Sequence, residues 1–243
     1  MRNVLITGAS RGIGAMCATL FARNGDMVFI NYKSSEARAA ELAGRLKGEG
    51  CCIKLIQADA SKPDEVRRMF GEISLECSGI DVLVNNAGIA QTKLFTDITD
   101  EDWSNMISTN LSSVFYCCRE ALPYMIRCKH GRIINISSMW GQVGGSCEVH
   151  YSAAKAGIIG LTKALAMEEG LSGITVNCVA PGVINTDMIS AFSDEDISAL
   201  CDETPTGTIG TPYDVAHAVF FLAEEASSFI TGQILGVNGG FVV

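Results

Sequence analysis

Short apolar runs alternate with longer stretches of helical periodicity along the whole of this chain, and that alternation limits its folds more than any other feature. Residues 4–7 are an apolar run ending at Gly8, and Ile13, Met16, Cys17, Leu20 and Phe21 follow at helical spacing. Residues 27–31, 52–57 and 82–85 read as the next strands, with helices over 35–47 and 62–76 between them. Pro63 suits the first turn of the second of these helices. The pattern continues with a helix over 101–119, a strand over 132–137, a helix over 151–169, a strand over 174–179, a helix over 212–224 and a strand over 233–237. Apolar strands separated by helices of this length form βαβ units, which close right-handed into a parallel sheet covered on both faces. The expected class is α/β, a doubly wound parallel sheet with helices on both faces.

Composition agrees with one globular domain. Hydrophobic residues make up 48% of the 243 and charged residues 19%, which argues against disorder and against a coiled coil. No compositional shift marks a linker, so 1–243 is expected to be a single domain. The stretch 186–210 departs from the regular pattern. It carries Asp194, Glu195, Asp196, Asp202 and Glu203 with weak periodicity, and reads as a lid over a site or as a solvated helix pair. A formal net charge of −9 leaves no overall basic footprint for nucleic acid. The ten cysteines include no C-x-x-C and the three histidines no H-E-x-x-H, so no metal site is expected. The thiols read as reduced and mostly buried, as in a cytoplasmic protein. No run of about 18 apolar residues occurs, so no membrane span is expected. A cleavable targeting segment would have to lie ahead of the strand that starts at residue 4.

The first strand leads into Thr7-Gly8-Ala9-Ser10-Arg11-Gly12-Ile13-Gly14, directly before the first helix. Glycines there let the backbone turn tightly and approach a pyrophosphate, and the helix N-terminus offers N–H groups and a positive dipole. That is the context a Rossmann-type dinucleotide site requires, though a glycine-rich turn alone does not establish one. The spacing is G-x-x-x-G-x-G, and no Gly-Lys-Ser/Thr follows, so it is not a P-loop. After the second strand, Asn31-Tyr32-Lys33-Ser34-Ser35 holds no carboxylate before Glu36. Arg11 and Lys33 then suit a 2′-phosphate, and the reading favours NADP (NADPH) over NAD.

Tyr151 and Lys155 lie four residues apart at the head of an expected helix, on one face and one turn from each other. An ammonium beside a phenol stabilises the phenolate, which makes tyrosine usable as an acid or base.

With these motifs in order, the sequence resembles the short-chain dehydrogenase/reductase family in its classical form. The likeness covers the whole chain: the glycine loop, Asn85-Asn86-Ala87-Gly88, Asn110, Ser138, Tyr151 and Lys155, Pro181-Gly182 with Thr186, and Asn238-Gly239-Gly240. It implies that Tyr151 protonates a substrate carbonyl oxygen as hydride arrives, and that Ser138 hydrogen-bonds the same oxygen. Lys155 would bind nicotinamide ribose hydroxyls and lower the Tyr151 pKa. Asn110 would anchor a water that links Lys155 to solvent. Strand alternation turns the neighbouring Ser137 to the other side. Cofactor contacts would come from Gly8, Ser10, Arg11, Gly12, Ile13 and Gly14 at the pyrophosphate and Lys33 at the 2′-phosphate. Asp59 and Ala60 would edge the adenine, and Asn86, Ala87 and Gly88 would pass its ribose. Pro181, Gly182, Ile184 and Thr186 would hold the nicotinamide, beside Tyr151 and Lys155.

Within the family, segments 130–138, 155–160, 173–177 and 230–240 are most similar to bacterial 3-oxoacyl-[acyl-carrier-protein] reductases. That implies acyl carrier protein as partner, and Arg127, Lys129 and Arg132 as a basic docking patch beside the site. A free small or polycyclic carbonyl substrate stays open, as does a silent dinucleotide-binding regulator. Met139 and Trp140 would line the substrate pocket, and Cys147 reads as a buried thiol. The family also implies a homotetramer through the helices expected at 101–119 and 151–169, where Ala153, Ala154, Ala156, Gly157 and Gly160 permit close approach.

Overall fold

A strand covered on both faces needs apolar side chains on both, so each apolar run of this chain becomes one strand of a parallel sheet. The computed structural model describes residues 1–189 and 193–243; residues 190–192, within the stretch 186–210, lie outside the described residues. The strands are β1 (Asn3–Ile6), β2 (Met27–Tyr32), β3 (Ile53–Gln57), β4 (Val82–Asn85), β5 (Gly131–Ile136), β6 (Ile174–Pro181) and β7 (Ile234–Val237). Their order across the sheet is β3-β2-β1-β4-β5-β6-β7, and each adjacent pair is parallel. The helices are α1 (Gly12–Arg23), α2 (Glu36–Gly48), α3 (Pro63–Glu76), α4 (Asp100–Ile107), α5 (Ser113–Cys128), α6 (Trp140–Val143), α7 (Val149–Glu169), α8 (Asp194–Glu203) and α9 (Pro212–Ala223).

Strand alternation sorts the core into two layers. Val4 and Ile6 pack with Phe21 of α1, Leu46 of α2 and Val219 of α9 on one face. Leu5 and Phe29 pack with Met69 of α3, Cys117 of α5 and Ile158 of α7 on the other. Four of the ten free cysteines are buried, four are half-buried and two are exposed, so the thiols are less sequestered than composition suggests. Among the described residues no helix is long and apolar enough to cross a membrane.

Three elements differ from the sequence reading. The helix expected at 101–119 is instead α4, a π-helical turn at Ser108–Ser112, and α5, which continues through Pro123 to Cys128. A proline inside a helix costs about 3 kcal/mol, and the burial of Ala121 and Met125 around it offsets that cost. Lys129 ends α5 with φ +49, the left-handed conformation usually left to glycine. The helix expected from Tyr151 starts at Val149, and the short α6 precedes it. Within 186–210, α8 is closed by a capping box in which Ser193 and Asp196 bond each other's backbone N–H.

The chain leaves β1 toward β2 and β3, then crosses back to β4 on the other side of β1. This reversal opens a crevice at the carboxyl ends of β1 and β4, where doubly wound sheets bind ligands.

Candidate active site

The crevice is built from backbone that cannot carry side chains and polar groups that cannot move. Gly8 has φ +63, and a Cβ there would lie 2.9 Å from Ala87 Cα. Thr7 Oγ1 accepts hydrogen bonds from the Asn86 and Ala87 N–H groups, both at 3.0 Å. In return Asn86 Nδ2 donates to the carbonyls of Thr7 (2.9 Å) and Gly8 (3.1 Å). Asn31, at the end of β2, accepts from the Gly8 N–H at 3.2 Å and donates to the carbonyls of Ile56 and Ala58. The ends of β1, β2, β3 and β4 are thereby tied together. Thr7 and Asn31 have no site role in the sequence reading. The available signal was a buried polar residue closing an apolar run.

Helix α1 starts against this frame. Arg11 is extended and gives no side-chain cap, and the first turn holds no acid, so its leading amides are free of capping by a side chain. A Cβ on Gly14 would fall 2.5 Å from Asn86 Nδ2 and 2.7 Å from the Gly8 carbonyl. Bare backbone, free amides and a helix dipole fit the pyrophosphate of a dinucleotide. Ser10, Gly12 and Ile13 are half-buried beside it, and the Thr186 methyl lies 3.5 Å from where a Gly12 Cβ would stand. Pro181 is buried, Gly182 bonds the Val237 carbonyl at 2.9 Å, and Ile184 bridges to Gly210.

At the far end of the cradle the two expected phosphate cations are already paired. Lys33 Nζ lies 2.8 Å from Asp59 Oδ2, next to buried Ala60. Burial raises the Asp59 pKa, but hydrogen bonds from Lys33 and Ser61 outweigh it and hold the carboxyl below its usual range. Arg11 lies 3.9 Å from Asp187, which also pairs with Arg38. Arg38 is a third cation that the sequence reading did not include.

The second group gathers at the end of β5. Ser137 Oγ donates to the Lys155 carbonyl at 2.8 Å, and Lys155 Nζ donates back to the Ile136 carbonyl at 2.9 Å. Ser138 points elsewhere and accepts from the Trp140 N–H at 3.1 Å. Trp140 in turn meets Phe241 edge-on, with ring centroids 5.9 Å apart, while Met139 is buried. Tyr151, in the first turn of α7, has Lys155 Nζ 5.6 Å from its ring centroid and shares a side-chain hydrogen bond with Ser138. Buried Asn110, carried by the π-helical turn, donates to the carbonyls of Ile89 and Met106 and accepts from the Ile89 N–H. A Cβ on Gly88 would sit 2.6 Å from Asn110 Oδ1 and 3.5 Å from Lys155 Nζ. Asn110, Ser138, Tyr151 and Lys155 thus come together around Gly88 and the end of β5.

Two expectations require correction. Lys155 does not lower the Tyr151 pKa in this arrangement. Desolvation dominates, pushing Tyr151 up to about 12 and Lys155 down to about 8, while the ammonium is turned to the Ile136 carbonyl. The cluster at Arg127, Lys129 and Arg132 is not beside the site. It lies at the start of β5, the end of that strand away from Ser138, and Arg132 is buried with Nη2 2.9 Å from Glu225.

Comparison with known proteins agrees with this geometry. Residues 8–242 match the family model described as Enoyl-(Acyl carrier protein) reductase. The chain belongs to the short-chain dehydrogenase/reductase family. It is 43% identical over 239 residues to "3-oxoacyl-[acyl-carrier-protein] reductase FabG" of Staphylococcus aureus, covering 98% of this chain and 97% of that one. Proteins of the same name from Vibrio cholerae and Chlamydia trachomatis are 42% and 41% identical, covering 97% and 98% of this chain and 95% and 96% of theirs. A solved structure titled as a putative gluconate dehydrogenase from Agrobacterium tumefaciens superposes with a TM-score of 0.95 at 33% identity, covering 100% of this chain and 97% of that one. The chain is therefore an NAD(P)-dependent oxidoreductase of the CH–OH/C=O class.

Gly14→Ala is expected to weaken NAD(P)H binding roughly tenfold or more, because the methyl displaces Asn86 or the Gly8 carbonyl from the cradle. Fluorescence titration with NAD(P)H measures it, and an unchanged Kd would show that the cradle does not hold the dinucleotide. A second expectation concerns pH. Lys155 titrates near 8 when folded, against an ordinary 10.5, so the folded protein carries the full cost of a buried ammonium below pH 8. That cost fades as pH rises toward 10.5. Lys155→Met should therefore be more stable than the parent at pH 7 by about 2 kcal/mol, after loss of the Ile136 bond, with the gap closing at about pH 9.5 and reversing by about pH 10.5. Urea unfolding across that range tests the sign.

Proposed function

We propose that this chain reduces a 3-oxoacyl thioester carried on acyl carrier protein to the 3-hydroxyacyl form, using NADPH. The observation that carries the reading is near-full-length identity above 40% to reductases of that name, combined with Ser138, Tyr151 and Lys155 gathered at one strand end. The dinucleotide, when bound, supplies the hydride. Tyr151 holds its proton firmly, with a pKa near 12, and gives it to the carbonyl oxygen as negative charge develops there. Ser138 hydrogen-bonds the same oxygen and orients it. Lys155, held at the Ile136 carbonyl beside the Tyr151 ring, would bind the nicotinamide ribose hydroxyls when the dinucleotide is present. Asn110, across Gly88 from Lys155, sets where a water can meet the lysine and return a proton from solvent.

NADPH is favoured by the cations at the end of β2. Arg38 lines an open cleft of about 500 Å³ together with Ser34, Ser35, Glu36 and Ala37, while Lys33 and Arg11 are paired with Asp59 and Asp187. A 2′-phosphate would compete with Asp59 and Asp187 for them. The ten free thiols suit a reducing cytoplasm. Assembly as a homotetramer through α4, α5 and α7 is supported by exposed Ala153, Ala156 and Gly160 along α7, together with exposed Phe115, Ile126 and Met167. Light scattering should give four times the 25.8 kDa of the chain, and Ala156→Trp should lower it; a monomeric parent protein would remove this part of the reading.

One observation favours a second substrate class. The cluster at 127–132 lies away from the site, and α8 carries Asp194, Glu195, Asp196, Asp202 and Glu203 with no cation. An acidic carrier protein would be repelled by that helix. A free neutral carbonyl compound would not.

The test is NADPH oxidation with acetoacetyl carrier protein, acetoacetyl-CoA, a crotonyl thioester and a panel of free ketones, with NADH in parallel. Turnover confined to the carrier-linked substrate with NADPH supports the first reading. Activity only on a free ketone moves the chain to the second, and activity on crotonyl thioester makes it an enoyl reductase. Tyr151→Phe is expected to cut kcat by roughly a thousandfold; a variant with full turnover would falsify the role of Tyr151.

A further inference from the structure

Four side chains outside the reaction centre form a hydrogen-bonded strut that ends one residue before Tyr151. At its outer end, Asp102 Oδ2 accepts from the Thr99 N–H at 3.0 Å, Thr99 Oγ1 at 2.9 Å and Lys93 Nζ at 2.6 Å. Asp102 Oδ1 accepts from the Gln91 carboxamide nitrogen at 2.9 Å. Gln91 Oε1 lies 2.8 Å from Nε2 of His150, a fully buried residue in the first turn of α7. A backbone bond runs alongside, from the Lys93 N–H to the Cys147 carbonyl at 2.7 Å. Half-buried Cys147 has φ +60, so the chain enters α7 through a left-handed turn.

The polarity of the strut follows from its donors and acceptors. The Asp102 carboxyl, held far below the usual carboxylate range by hydrogen bonds from Lys93, Gln91 and Thr99, can only accept. Gln91 must therefore turn its NH2 to Asp102, which leaves its oxygen for His150. Nε2 of His150 then carries the proton, and the network assigns the tautomer. Nδ1 is buried with no hydrogen-bond partner. An unsatisfied buried nitrogen destabilises the fold, so an apolar side chain would fill this space at lower cost. What histidine adds here is one directional bond to Gln91.

We propose that Gln91 and His150 are positioning residues: the strut through Lys93, Asp102, Gln91 and His150 sets the first turn of α7, and with it the Tyr151 hydroxyl, against Ser138. This rests on the reading of Tyr151 as proton donor. The strut joins the segment after β4, the head of α4 and the head of α7. Breaking it loosens the Tyr151 turn, while the Gly8 and Gly14 cradle keeps its own bonds through Thr7, Asn31 and Asn86.

Three single variants test this. Gln91→Met keeps length and removes polarity, His150→Phe fills the space without an N–H, and His150→Gln restores a donor. With an acetoacetyl thioester and NADPH, Gln91→Met and His150→Phe should lower kcat roughly ten- to hundredfold, with NADPH Kd within about twofold of the parent. His150→Gln should recover to within about threefold of the parent, and the double variant should be no slower than the slower single one, since both break one chain of bonds. Amide exchange in Gln91→Met should quicken together over 89–99 and 145–152. Unchanged kcat in Gln91→Met and His150→Phe overturns the proposal. So does a loss that follows NADPH Kd or Tm with His150→Gln no better than His150→Phe, because that is the behaviour of a core filler. Gln91 is only half-buried, so Gln91→Met keeps the question measurable if His150→Phe does not fold. Full activity in Tyr151→Phe sinks the underlying reading. An inactive Tyr151→Phe beside a fully active Gln91→Met sinks the strut alone. Exchange at 145–152 that stays the same in Gln91→Met overturns the strut even where none of the carbonyl compounds is reduced.

Discussion

Four parallel strands end at one polar clasp, and the rest of the molecule is arranged around it. Thr7 and Asn31 have short side chains with no freedom to reach elsewhere, and between them they bond the backbones following β1, β3 and β4. Buried polar atoms of this kind are costly unless satisfied, and once satisfied they admit a single arrangement. The clasp fixes the distance between Gly8 and Ala87 and so leaves the turn into α1 no room for a Cβ. The free amides of α1 then point to one place because the strand ends beneath them cannot slide.

A second clasp of the same type joins β5 to α7. Ser137 bonds the backbone of Lys155, and Lys155 bonds the backbone of Ile136. The helix that carries the tyrosine is therefore held from the strand that carries the serine, in both directions. This geometry has a thermodynamic side. The ammonium that completes the second bond is almost wholly desolvated, and the tyrosine beside it is held protonated. Two titratable groups at one strand end are thus held away from their ordinary pKa values, the pattern by which a candidate functional site is recognised.

Much of this was legible in the sequence, because the relevant signals are local. The sheet follows from apolar runs and helical spacing, and the glycine loop from residues that sit next to one another. The four-residue interval puts Tyr151 and Lys155 on one helix face, and the family resemblance singles them out as a pair. What stayed hidden depends on partners distant in the chain. Asn31 reads as an ordinary strand end until the order β3-β2-β1-β4 sets it between Gly8 and Ala58. Lys33 reads as a free cation until Asp59 arrives from the next strand. Arg132 reads as part of a basic surface, yet the direction of β5 places it at the opposite end of the sheet from Ser138 and buries it. Gln91 and His150 carry no motif; only the packing of the segment after β4 against the head of α7 joins them. The helix expected at 101–119 stops short of where α5 ends, since tertiary packing carries it through Pro123, a residue that intrinsic propensity disfavours.

The order of the sheet leaves β3 and β7 at its margins, and their composition bears on colloidal behaviour. An open strand edge is a template on which other chains can polymerise. On β3 that hazard is blunted by polar side chains: Lys54 and Gln57 are exposed, and Lys54 is paired with Glu76 of α3 at 2.9 Å. On β7 it is blunted by brevity, since the strand has four residues and the chain then folds back, with Asn238 Nδ2 bonding the Val242 carbonyl at 2.9 Å. Each margin thus offers a passing strand either an ion pair and a polar side chain or too few rungs to climb.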